Sequence, residues 1–202
     1  MTIFNESLHL GETNDGQKTW STLFLRVNIK KNLNQMFTIH KSDCIKRVKI
    51  HPNGNYVGTV STDGSLRLWD VLDGICTRVY NFGSIIPTIL SFSLNGIYVV
   101  VGAFDGSIYL WNLSSPVIAA ILKSHSSLIC GLSFDRNSNI LTSCSSDDCI
   151  HTWSINEITK MKFNEYNSTS THLIHKASTK GVNMNSLTYT HRNIVMITGF
   201  ND

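Results

Sequence analysis

Short apolar runs and short polar clusters alternate along most of this chain. One stretch begins at Ile50 and passes through His51-Pro52-Asn53-Gly54-Asn55 to Tyr56-Val57-Gly58-Thr59-Val60. Ser61-Thr62-Asp63-Gly64-Ser65 follows, then Leu66-Arg67-Leu68-Trp69-Asp70. Pro/Asn/Gly and Asp-Gly clusters punctuating β-branched and aromatic runs predict strand, turn, strand, Asp-Gly turn, strand. The pattern returns from Phe92-Ser93-Leu94-Asn95-Gly96 to Trp111, and again from Phe134-Asp135-Arg136-Asn137 to Trp153. The stretches that follow, Thr77-Arg78-Val79-Tyr80 and residues 117–122, are also apolar and predict a fourth strand in each unit.

The copies keep a gapless period of 42 residues. Trp69, Trp111 and Trp153 follow it, as do Asp63, Asp105 and Asp147, Ile50, Phe92 and Phe134, and Asn53, Asn95 and Asn137. A fixed period of this size marks one supersecondary unit copied in tandem. Four antiparallel strands per copy predict an all-β fold of propeller blades, about four of them and incomplete as a ring. The repeats occupy residues 36–202, ending near Trp69, Trp111 and Trp153, with a partial last blade over 180–202. Residues 156–180 break the period, and the Ser/Thr/Asn-rich stretch 164–171 reads as a loop. The step from Phe134 to Tyr189 is 55, which implies a 13-residue insertion. Beyond it, Ile194-Val195-Met196-Ile197 reads as a buried strand, with Thr198 at the Ser143 position and Asp202 at the Asp147 position. Residues 1–35 lie outside the repeat. Trp20 and residues 23–27 read as a divergent strand pair, as an extension or as mistranslated intron sequence.

The Trp69-Asp70 pair, with degenerate Trp111-Asn112 and Trp153-Ser154, resembles the signature that closes each repeat in the WD-repeat family. The family's opening Gly-His pair survives as Ser124-His125 in the third copy. Gly83 replaces its His in the second, and His40 sits one residue out of register in the first. The resemblance implies a structural tetrad in which a Trp indole bonds a Ser/Thr hydroxyl, the hydroxyl a His, and the His an Asp. By position the third copy holds all four, His125, Ser143, Asp147 and Trp153. The first holds Thr59, Asp63 and Trp69. The second has Val101 where the hydroxyl belongs and keeps Asp105 and Trp111. The family usually has seven blades, so the resemblance also implies the C-terminal part of a longer propeller or a truncated gene model.

Composition narrows function mainly by exclusion. A net charge of +3 with 15% charged residues names no partner, and no basic stripe points to sequence-specific nucleic-acid binding. Lys46-Arg47-Lys49, set among Ile45, Val48 and Ile50, reads as a solvated strand face. Residues 1–20 are mostly polar and carry no signal-peptide pattern, and the apolar run 117–122 is too short to span a membrane. Five cysteines without secretory context predict reduced thiols in an intracellular protein. Cys144, Cys149 and His151 are spaced like part of a zinc site. The repeat, however, sets Cys144 level with Val60 and Gly102, and Cys149 level with Ser65 and Ser107, so no metal is expected. No phosphate-loop signature suggests a cofactor. His, Ser and Asp in the third copy are the residue types of a hydrolase triad, but they recur with a Trp at repeat spacing and read as structural. No catalytic residue is expected.

Two further segments carry a finer resemblance. Residues 50–57 and 65–74, with the opening His51-Pro52-Asn53-Gly54-Asn55-Tyr56, are similar to the WD-repeat subunits of the general transcription factor TFIID. So is the end of the chain, Thr179-Lys180 and then Leu187-Thr188-Tyr189-Thr190-His191-Arg192-Asn193-Ile194-Val195. That resemblance implies a nuclear, non-catalytic scaffold docking histone-fold TFIID subunits, and in many organisms also a SAGA-type complex. Partner contacts are expected on blade turns, at Lys41, Ser42 and Asp43, at Ser84 and Ile85, and at Ser126 and Ser127. A generic WD-repeat adaptor, such as a ubiquitin-ligase substrate receptor or a splicing or signalling scaffold, is the alternative.

Overall fold

The computed structural model describes residues 21–24, 36–40, 45–160, 173–179 and 181–201. Its first strands are β1 (Ser21–Phe24) and β2 (Met36–His40), which pair antiparallel. The partner of β1 thus comes from the start of the first repeat, and Trp20 and residues 25–27 lie outside the described residues. Three four-stranded sheets follow. The first holds β3 (Ile45–Ile50), β4 (Tyr56–Ser61), β5 (Ser65–Asp70) and β6 (Cys76–Asn81). The second holds β7 (Pro87–Phe92), β8 (Tyr98–Ala103), β9 (Ser107–Asn112) and β10 (Ile118–Lys123). The third holds β11 (Ile129–Phe134), β12 (Ile140–Ser145), β13 (Cys149–Ser154) and β14 (Leu173–Ser178). A short helix, α1 (Ile155–Lys160), follows β13, and β15 (Val182–Tyr189) with β16 (Val195–Asn201) forms a final pair.

Turn chemistry sets these meanders. Gly54 and Gly96 take φ of 76° and 71° in the first turn of their sheets, and Gly64 and Gly106 take 72° and 82° in the second. In the third sheet the same repeat positions hold Ser138 at φ 60° and Asp148 at φ 57°. The left-handed region costs a residue with Cβ free energy, least for short polar side chains that bond locally. The ladder slips at one place in every first strand, between Ile45 and Arg47, Pro87 and Ile89, and Ile129 and Gly131. A bulge conserved through the repeat increases strand twist at the same point of each blade.

The sheets stack face to face. First strands meet in sequence, β3 on β7, β7 on β11 and β11 on β15. One apolar core joins the first two sheets through Leu66, Tyr80, Phe82, Leu90, Val99 and Trp111. A second joins the next two through Ile108, Leu110, Ile129, Leu132, Leu141 and Trp153. A smaller third core places Cys144 against Met184 and Leu187 of β15. Along one rim each first turn is bonded to the next. His51 Nε2 donates to Gly96 O at 3.0 Å, the Asn95 N–H to Ser138 Oγ at 3.1 Å, and the Arg136 N–H to Asn193 Oδ1 at 2.9 Å. The described sheets do not close into a ring.

Residues 156–180 depart from the 42-residue period, and their described parts hold elements the spacing does not predict: α1, which buries Ile155 and Ile158, and β14, which completes the third sheet. The polar stretch 164–171 lies outside the described residues. The last turn is also one residue shorter than its counterpart. Tyr189 pairs with Val195, six residues on, whereas Phe134 pairs with Leu141, seven on. The register therefore puts Ile197, not Thr198, level with Ser143. Ile197 packs into the third core, while Thr198 bonds exposed Ser186 at 2.7 Å. Asp202 lies outside the described residues.

Candidate functional site

The third blade brings its four polar landmarks together. His125, in the loop between β10 and β11, has Nδ1 3.0 Å from Asp147 Oδ2 and 3.1 Å from Oδ1. Its Nε2 is 2.9 Å from Ser143 Oγ on β12, and the Trp153 indole N–H of β13 donates to the same oxygen at 3.0 Å. The donors run one way. The Trp153 N–H feeds Ser143, the Ser143 O–H feeds His125 Nε2, and His125 Nδ1–H feeds Asp147. That order requires a neutral imidazole. Burial lowers the His125 pKa and outweighs the pull of Asp147. Burial alone would raise the Asp147 carboxyl. The Ser126 N–H, His125 and the Cys149 N–H outweigh it and hold Asp147 below its ordinary value. The network ties β12, β13, their turn and the incoming loop together.

The other blades solve the same position differently. In the first, the Trp69 indole donates to Thr59 Oγ1 at 2.9 Å. Asp63 takes the Ser65 N–H at 2.9 Å, the Ser65 hydroxyl at 2.6 Å and Arg67 at 2.9 Å. His40 ends β2, and its side chain lies outside the described residues. In the second blade Val101 is fully buried and Trp111 packs against rings instead, with centroids 5.2 Å from Tyr80 and from Phe82. Asp105 is left in its turn, taking the Ser107 N–H and hydroxyl, each at 3.0 Å.

The expected contact turns are uneven. Lys41, Ser42 and Asp43 lie outside the described residues. Ser84 and Ser126 are exposed, Ser127 is half-buried, and Ile85 is turned against the first core. Two apolar side chains beside them were missed. Phe104 is 63% exposed and Ile86 42%, and the Phe104 N–H donates to Ile86 O at 2.9 Å. A signal existed, since Phe104 is level with Thr62 and Ser146 and is the odd apolar residue in a polar turn. Lys46, Arg47 and Lys49 are exposed on β3. Among the described residues no cluster of three or more His, Cys, Asp or Glu is placed to hold a metal. Cys144 is buried, and burial pushes its thiol up to about 12. Also among the described residues, no helix is long and apolar enough to cross a membrane.

With this geometry in hand, the family follows. The WD domain, G-beta repeat (WD40) matches residues 31–70, 76–112 and 117–154, together more than half of the chain. The chain belongs to the WD-repeat family. Among solved structures it is similar to that of U3-55K, with a TM-score of 0.68 and 18% identity. That match covers 80% of this chain and 47% of the other, so the chain spans about half the length of that relative. At this identity the likeness shows the fold alone. No curated protein matches the sequence. In all, 1273 chains of solved structures match, and a fold so widely shared assigns no particular function.

Proposed function

We propose that this chain is a non-catalytic protein-interaction scaffold, and more specifically a nuclear WD-repeat subunit of TFIID that docks histone-fold partners. The carrying observation is where the reactive residue types sit. Ser143 has no exposed surface, and its oxygen is held between the Trp153 indole and His125. A nucleophile must reach substrate, and this one is enclosed by its own blade. What remains accessible is the rim of turns, where rigid sheets present fixed loops. The TFIID reading rests on residues 50–57, 65–74 and 187–195 alone, whose pattern resembles those subunits.

Affinity purification of the tagged chain from nuclear extract tests both levels. The proposal expects histone-fold subunits and the TATA-binding protein among the recovered proteins. Phe104→Glu with Ser126→Glu should reduce their recovery several-fold. Recovery of ubiquitin-ligase or spliceosomal subunits instead would keep the scaffold and remove the TFIID assignment. Turnover of an ester or peptide substrate that is lost in Ser143→Ala would overturn the non-catalytic reading.

A further inference from the structure

The third blade contains a histidine that the tetrad does not use. His151, on β13, is fully buried, and neither ring nitrogen has a hydrogen-bond partner. Buried polar atoms are normally satisfied, so such a group calls for an explanation. Its ring stacks on His125 with centroids 3.8 Å apart and planes 17° apart, and it meets the Trp153 ring at 5.8 Å. The same repeat position holds Arg67 in the first blade and Tyr109 in the second. A histidine here belongs to the third blade only.

The surroundings offer a second proton no place. The Asp147 carboxylate acts on His151 through its charge, but its oxygens are already occupied by His125, the Ser126 N–H and the Cys149 N–H. Lys176 pairs with His151 across the β13–β14 ladder and adds like charge. Cys144, beside Ser143 on β12, is a neutral thiol. In the neighbouring blade, Asp105 is engaged by Ser107, and Lys123 is exposed at the end of β10. Protonation of His125 would turn an Nε2–H onto Ser143 Oγ, so that this hydroxyl gives up its bond to the imidazole and turns its O–H to the longer, 3.4 Å contact with His151 O.

We propose that the His125–His151 stack is an acid-sensitive joint, in which two buried imidazoles share one committed carboxylate and protonation loosens the third blade. Burial, then His125 and Lys176, push His151 down from its ordinary 6.5 to about 4. A group with a depressed folded-state pKa contributes stability that is fully present above the unfolded value and lost as pH falls toward the folded one. The window is therefore from about 6.5 down to about 4. The first and second blades have Arg67 and Tyr109 at this position and no imidazole.

The test compares the whole chain with His151→Tyr, which installs the second blade's residue. Equilibrium unfolding is measured at pH 7.5 and pH 5. The folding constant of the parent chain should fall on the order of tenfold more than that of the variant. Equal falls in the two proteins overturn the proposal. If His151→Tyr does not fold, the imidazole Cε1–H resonance of His151 is followed by NMR in the parent chain. No titration above pH 5 is expected, and an ordinary midpoint near 6.5 overturns the joint.

Discussion

The second and third blades share strand lengths, ladder registers and a bulge, yet they are held by different chemistry. The third uses a chain of hydrogen bonds through His125, Ser143, Asp147 and Trp153, all in or near the core. The second has Gly83 and Val101 at two of those places and fills the space with Tyr80, Phe82, Tyr109 and Trp111. The turns differ in the same sense. The second blade uses Gly96 and Gly106 at positive φ, whereas the third uses Ser138 and Asp148. Each of those two side chains has work to do. Ser138 accepts the Asn95 N–H of the preceding blade at 3.1 Å, and Asp148 Oδ2 accepts the Gly181 N–H at 3.4 Å. One backbone thus tolerates a polar and an apolar lock. The polar lock adds direction and pH dependence, and the apolar lock adds only packing.

Substitutions separate the two. The largest expected effect is Trp153→Ala, which empties a fully buried site and should cost about 3–5 kcal/mol of unfolding free energy in urea. Gly102→Ala tests the close packing of the second blade. A Cβ there would lie 2.6 Å from Ile129 Cγ2 and 2.9 Å from Ile89 Cγ2, so overpacking should cost about 1–3 kcal/mol. Val101→Thr copies Thr59 of the first blade, so the Trp111 indole can reach the new oxygen but no His takes its O–H, and a loss of about 1 kcal/mol is expected from the shift in urea midpoint. Acid is a finer probe. Because the Asp147 carboxyl is held below its ordinary 3.8, the stability it adds is present above that value and lost as pH falls below it. Asp147→Asn should therefore flatten the acid limb of a stability-versus-pH curve below about pH 4. The smallest effect is Asp148→Gly. Relief of the left-handed backbone offsets the added freedom of the unfolded chain and the loss of the long, exposed bond to the Gly181 N–H, and stability should change by less than about 0.5 kcal/mol.

The sequence was legible where the repeat supplied a template. Residues at one phase of the period meet the same neighbours in every blade, so the alignment of Trp69, Trp111 and Trp153 placed strands, turns and tetrad members together. The fourth strands at 77–80 and 117–122 were readable for the same reason, and they appear as β6 and β10. Between residues 155 and 178 no copy exists to compare, and α1 and β14 went unread there. Ile197 was misplaced by one because a turn can lose a residue without disturbing the strand pattern on either side. Exposure at Ile86 and Phe104 depends on how one turn projects past another, which spacing does not encode. In the sequence His151 stands out only through its zinc-like spacing with Cys144 and Cys149. Its oddity lies in the missing partners of its ring, which only the packed structure displays.

Ser143→Ala tests the polar lock most directly, because one oxygen joins Trp153 to His125. Removing it leaves a buried donor and a buried acceptor unpaired, each worth about 1–3 kcal/mol. Equilibrium urea unfolding of this variant should show a loss of at least about 2 kcal/mol with an unchanged m-value. A variant as stable as the parent chain would contradict the account, because the four residues would then be neighbours without holding the blade together.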